Sequence, residues 1–248
     1  MCGCSETPFL SRGDAKIGND GTVNGNLASN NPGAHMNIGK GVFMPDNTSV
    51  TGDSVRIGTG SNVYSVFSNT LFMGPLAIIR GPTGPATLPL VNPACSVTTF
   101  ACGGPDVNVE TNASSGPLPP GSYGNVIVRN GATLTLDAGT FYFCKLQVGR
   151  GGVVEPHGPV TINVTGTVRI GNEAHLIGVP PAPPVSITLN VLGKQIRAGQ
   201  NAIVQAYIVA PNAELSLGRS SLFQGSFCVN SLRDDKHITL ECPCAGNP

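Results

Sequence analysis

The stretch Asn125-Val-Ile-Val-Arg-Asn-Gly-Ala-Thr-Leu-Thr-Leu-Asp-Ala-Gly-Thr-Phe-Tyr-Phe-Cys144 decides the fold. It holds three short runs, 125–129, 133–136 and 140–144, in which apolar residues alternate with polar ones. Alternation at period two is the signature of a half-buried strand. The runs are separated by Asn130-Gly and by Asp137-Ala-Gly, which are corner residues. Many short strands with frequent turns fit either a sandwich or barrel, or a parallel solenoid. Asn130-Gly131 is the best hairpin signal in the chain, and such signals are few. A coil that always turns the same way needs corners, not reversals, so the reading is an all-β parallel β-solenoid (β-helix).

The pattern continues outward from this stretch. Downstream come Leu146-Gln-Val, Val160-Thr-Ile-Asn-Val, Thr167-Val-Arg-Ile, Ser186-Ile-Thr-Leu-Asn-Val-Leu, Gln195-Ile-Arg-Ala, Ala202-Ile-Val-Gln-Ala-Tyr-Ile-Val, Glu214-Leu-Ser-Leu and Phe223-Gln-Gly-Ser-Phe-Cys-Val. Single Gly-Asn or Gly-Arg-Gly corners link several of them. Upstream, Gly21-Thr-Val-Asn-Gly, Met36-Asn-Ile-Gly, Ser49-Val-Thr-Gly-Asp-Ser-Val-Arg-Ile and Asn62-Val-Tyr-Ser-Val-Phe read as looser partial rungs. Such rungs bury their inward residues against the rungs above and below. Between about 74 and 121 lie nine prolines, from Pro75 to Pro120. Proline cannot donate to a ladder, so this segment reads as an excursion from the solenoid rather than a linker between two pieces. The expected organisation is an N-terminal arm at 1–11, a solenoid at 12–240 carrying the excursion, and a tail at 241–248.

Composition narrows the function classes. Lys+Arg and Asp+Glu are both 14, and charged residues are 11% of the chain. A nucleic-acid partner is not expected without a basic excess. Near-zero net charge favours self-association. No apolar run approaches the ~20 residues of a membrane-spanning helix. The N-terminus lacks a basic region followed by an apolar core, so the expectation is a mature product of an exported precursor.

The segments Pro119-Pro-Gly-Ser-Tyr-Gly-Asn-Val-Ile-Val-Arg-Asn-Gly-Ala-Thr-Leu-Thr-Leu-Asp-Ala-Gly-Thr-Phe-Tyr-Phe and Tyr207-Ile-Val-Ala-Pro-Asn-Ala-Glu-Leu-Ser-Leu, with Phe223-Gln-Gly-Ser-Phe, resemble a domain of uncharacterised function in secreted and surface-attached bacterial proteins. The resemblance spans roughly 12–240 and is best after residue 119. It implies a right-handed parallel β-helix and export, and brings no catalytic residues. The rung texture is also similar to that of bactofilins, solenoids that polymerise end to end, as an architectural analogy.

Eight cysteines stand at 2, 4, 95, 102, 144, 228, 242 and 244. That density points to an oxidising compartment. Cys95 and Cys102 are expected to close the excursion as a local loop. Cys144 and Cys228, each in an aromatic-rich strand, either pair or are small buried hydrophobes. Cys2-Gly-Cys4 and Cys242-Pro-Cys244 each present two sulfurs on one side of an extended segment. A solenoid rises about 4.8 Å per rung, so its first and last coils would be on the order of 50 Å apart. A disulfide needs Cα atoms within about 7 Å. The end motifs are therefore expected to link molecules stacked head to tail. The alternatives are that each motif pins its own terminus, or that the four thiols share a zinc ion.

The search for chemistry ends without a catalytic or cofactor site. The acids are scattered, and Asp234-Asp235, the single adjacent pair, reads as a solvated corner. His35, His157, His175 and His237 are isolated. No nucleophile elbow, His-Glu-x-x-His, Walker or haem-attachment motif occurs. The expectation is an extracellular or cell-surface structural protein, not an enzyme, assembling head to tail into a disulfide-reinforced filament. Its partner would be itself, with surface polysaccharide as a further candidate. The alternative is a monomeric adhesin or carbohydrate-binding module.

Overall fold

The computed structural model describes residues 8–88, 95–178 and 186–242. Among them there is no helix, and every strand pairing is parallel. The strands form a three-sided β-solenoid of about 12 turns. Residues that share a column are set by register: Val128 lies beside Val148, Val148 beside Ile170, Ile170 beside Ala198 and Ala198 beside Leu217. All five point inward and are buried or nearly so. The strand Ile203–Leu217 runs through successive faces, and its burial alternates along both arms and slips at Pro211-Asn212, where the register shifts. Neighbouring columns supply the rest of the core, including Phe141, Ile162, Leu189, Ile208 and Phe227.

One corner repeats through the whole stack. Asp20, Leu76, Asn112, Glu173, Asn201, Ser220 and His237 have φ of 54–58°, and Gly41, Gly60, Gly131 and Gly151 have φ of 62–68°. Each turns the chain from one face to the next, so Asn130-Gly131 makes a corner here and not a hairpin. Left-handed backbone is costly for residues with a Cβ and nearly free for glycine. At Gly151 a Cβ would meet no atom within 4 Å, so only the dihedral matters there.

The stacking order is not the sequence order. The described coils begin at one tip with Val107–Val109 and Ser114–Leu118 and continue upward through the chain to Leu222–Asp234 and Thr239–Glu241. The next coil is the N-terminal one. Phe9–Ser11 pairs with Phe227–Val229, Ala15 and Lys16 with Leu232 and Arg233, and Thr22–Asn24 with Thr239–Glu241. Phe9 closes this seam, its ring 5.3 Å from that of Phe227 and 6.4 Å from that of Phe223. The stack then proceeds through Leu27–Ser29, Ser49–Ile57 and Ser65–Met73 to a last short pairing of Thr83–Gly84 on Val66–Phe67. The first and last coils of the sequence therefore touch in the middle of the rod. The expectation that they occupy opposite tips is overturned.

The described part of the excursion from Cys95 to Cys102 runs back along one face toward the Val107 tip. Cys95 bonds to Cys228 and Cys102 to Cys144, with Cα separations of 5.5 and 5.0 Å. Cys228 belongs to the coil at the seam, and Cys144 lies four coils nearer the Val107 tip. Four rungs of about 4.8 Å make roughly 19 Å. Seven extended residues reach about 23 Å, so the span from 95 to 102 is taut. The expected local loop between Cys95 and Cys102, and the Cys144–Cys228 pair, are both replaced by this strap. The strap is narrower than 74–121, because Ile78–Ile79, Thr83–Gly84 and Val107–Leu118 belong to the stack. The arm is shorter too, since Phe9–Ser11 is a full ladder strand. Cys95 packs on Leu10, Ala28 and Cys228, and Phe100 sits 6.1 Å from Tyr142, so the strap covers outward residues of this face.

Two outcomes follow for stability. Replacing Cys102 and Cys144 by Ser should lower unfolding free energy by about 2–4 kcal/mol and open the 95–106 strap to protease, read by denaturant melts and limited digestion. Gly151→Ala should cost about 1 kcal/mol, whereas Gly151→Asn should cost less because asparagine tolerates this backbone. Thermal melts of the pair would show the difference.

Candidate functional site

Three regions carry groups that the packing does not use. The first is the tip formed by Ser65–Met73 and Ile78–Ile79. Leu71 and Met73 lie in the columns of buried Val55 and Ile57, yet they are 36% and 49% exposed because no coil covers them. With Phe72, Leu76 and Ile78 they make up five of the six exposed large apolar residues among those described. From Ser68 onward the strand has no partner on its outer side among the described residues. The opposite tip differs. Val109 is buried, while Asn108, Asn112, Ser114 and Ser115 are exposed, and Pro117 interrupts the edge strand. Proline and polar side chains block edge pairing.

The second region is one outer column of the face that contains 146–148 and 168–170. Register places Gln147, Arg169, Arg197, Ser216, Arg233, Lys16, Asn37 and Arg56 one above another. Five of the chain's cations thus share one line, although the net charge is zero. Sequence reasoning missed the column because its members are scattered from residue 16 to residue 233. The signal was the cation at the outward position of short runs such as Val168-Arg-Ile and Gln195-Ile-Arg-Ala.

The third region is the seam. Cys242 is disulfide-bonded, and its backbone N–H donates to the Asn24 carbonyl. Cys2, Cys4 and Cys244 lie outside the described residues. Pro8 and Cys242 both lie at the seam coils, Pro8 accepting from the Phe227 N–H. The distance argument for linking the two end motifs between molecules therefore no longer holds. Of the two adjacent acids, Asp235 is exposed and Asp234 is buried, correcting the expectation of a solvated pair. Asp234 occupies the column of Leu217 and Ile17, an apolar position. One carboxylate oxygen accepts the Gly18 N–H across the seam, and the other has no partner. His35, His157 and His237 are exposed at separate positions, and His175 is half-buried on another face. Among the described residues no group of three or more His, Cys, Asp or Glu could hold a metal.

Burial pushes the Asp234 carboxyl well above the usual range, against the Gly18 hydrogen bond and the Lys16 charge. The folded chain then binds the proton more tightly than the unfolded chain, whose value is about 3.9. This contribution is fully present below about pH 4 and is lost as pH rises through the folded value. Asp234→Asn, which keeps the oxygen facing Gly18, should raise stability at neutral pH by about 1 kcal/mol or more and flatten its fall between acid and neutral pH. Melting temperature against pH checks both.

No known family matches the chain, and neither curated proteins nor solved structures give a match, so nothing beyond the fold accompanies the resemblance noted above.

Proposed function

We propose that this chain is an extracellular structural protein, a disulfide-stapled β-solenoid rod whose copies join end to end through the tip at Ser65–Ile79. Its work on this reading is mechanical, with itself as partner, and not catalytic. The observation that carries it is the uncovered tip, where Leu71 and Met73 leave core columns open to water. Solenoids normally need a polar terminal cap to stay soluble, and this tip has apolar side chains and an unpaired strand edge instead. A second copy is the occupant that offers a rung of the same three-sided shape. Because the other tip is polar and fenced by proline, two like tips facing each other fit better than a head-to-tail chain. The two disulfides formed wholly among the described residues support an oxidising compartment, and within each molecule they act as struts rather than as links between copies.

The test is the association state of the purified chain by sedimentation across a concentration series, with electron microscopy of the same samples. Wild-type protein should associate reversibly, and Phe72→Ser/Leu76→Ser should remain monomeric with an unchanged melting temperature. Monomers at all concentrations would remove the proposal. Long fibres that persist in the double variant would move the interface elsewhere.

A further inference from the structure

Thirteen of the chain's fourteen acids lie in described residues, yet none forms an ion pair with a cation of one outer column, and only Lys16 acts on an acid, the buried Asp234. Arg169 and Arg197 occupy adjacent rungs, as do Arg233 and Lys16, and Arg56 follows two rungs beyond Lys16. All five are exposed. None makes a hydrogen bond or ion pair among the described residues, whereas Arg80, Arg129 and Arg150 each pair with an acid. Like charges placed directly opposite each other on a sheet are destabilising. The rung register repeats that unfavourable contact twice along one line. Nothing in the packing requires it, because the outward position of each strand accepts Ser216 or Asn37 equally well.

From Gln147 to Lys16 the column lines an open groove that also receives Arg219, and Arg56 continues the line beyond it. Against these cations the groove presents the half-buried Glu214 and the exposed Asp235, while Asp234 beneath is buried. Ser216 stands between Arg197 and Arg233, and the uncharged Gln147, Gln195 and Gln200 line the groove beside the cations. The spacing is that of the rungs, about 4.8 Å, and the line from Arg169 to Arg56 spans six rung steps, on the order of 29 Å. A ligand matching it is linear, carries anionic groups at short regular intervals, and offers hydroxyls to the amides between them.

We propose that this face binds a linear acidic polysaccharide laid parallel to the solenoid axis, its carboxylates on Arg169, Arg197, Arg233, Lys16 and Arg56. A nucleic acid fits less well. Single strands are held by aromatic side chains on which bases stack, and the column contains no aromatic residue from Gln147 to Arg56. The inference is independent of the tip, since the column runs along the side of the rod and remains exposed in a monomer.

The experiment is direct binding of the full chain to polygalacturonate, with neutral dextran and single-stranded DNA of comparable length as comparators, over a range of salt concentrations. Arg197→Ser/Arg233→Ser removes two members of the column. Arg12→Ser/Arg80→Ser removes the same charge from elsewhere. Polygalacturonate should bind with an affinity that falls as salt rises. The column variant should lose at least about tenfold, following the size of two lost charge contacts, and the control variant less than about twofold. Equal losses in the two variants would overturn the site, as would absence of polygalacturonate binding. Equal or tighter binding of DNA would overturn the polysaccharide assignment, and equal binding of dextran would overturn the role of charge. Melting temperatures of both variants establish that they are folded, and both sets of substituted residues are on the surface.

Discussion

The molecule depends on the parallel ladder between its first and last coils. Phe9–Ser11 on Phe227–Val229 and Thr22–Asn24 on Thr239–Glu241 join two halves that the chain itself connects only by way of the tips. Every rung of a solenoid has two sheet edges, and each edge either finds a neighbour or remains open. Here the seam satisfies the edges of both terminal coils at once. Phe9, Phe223 and Phe227 fill the interior at that level, so the core is continuous across a break in the covalent chain.

That arrangement fixes the role of the excursion. Once the terminal coils lie at mid-body, the chain must travel from the Thr83–Gly84 tip to the Val107 tip, and the shortest path is straight along one face. An extended strap of this kind has no ladder of its own. Its attachment comes from side chains: two disulfides, the contact of Cys95 on Leu10 and Ala28, and Phe100 against Tyr142. The covered face accordingly buries Asn163, whose side chain donates to Phe141 and accepts from Asn190.

The same topology leaves two unlike tips and two other faces in water. One tip ends in residues that would be core if another rung followed, and the other ends in proline and small polar residues. On the side, register turns isolated arginines into a line. A neutral chain can thus be strongly polarised, because net charge sums over the molecule while binding senses one face. Net charge therefore describes no single face of the rod, whereas rung register does.

Strand alternation and glycine corners made the solenoid legible before any coordinates, since period two and a turn signal are local properties of the chain. Runs such as 133–136 and 146–148 show it in a few residues. The excursion was legible as well, from its prolines, though its limits were not, because Thr83–Gly84 and Val107–Val109 join the stack only through neighbours distant in sequence. What tertiary structure alone decided was order. Nothing local to Phe9 states that it will meet Phe227, nor does Cys95 indicate Cys228 over Cys102. Nor does Asp234, in a polar run, show that it will face inward. A rung accepts any edge of compatible register, so the sequence by itself determined the shape of each coil, and only long-range packing chose which coil stands beside which.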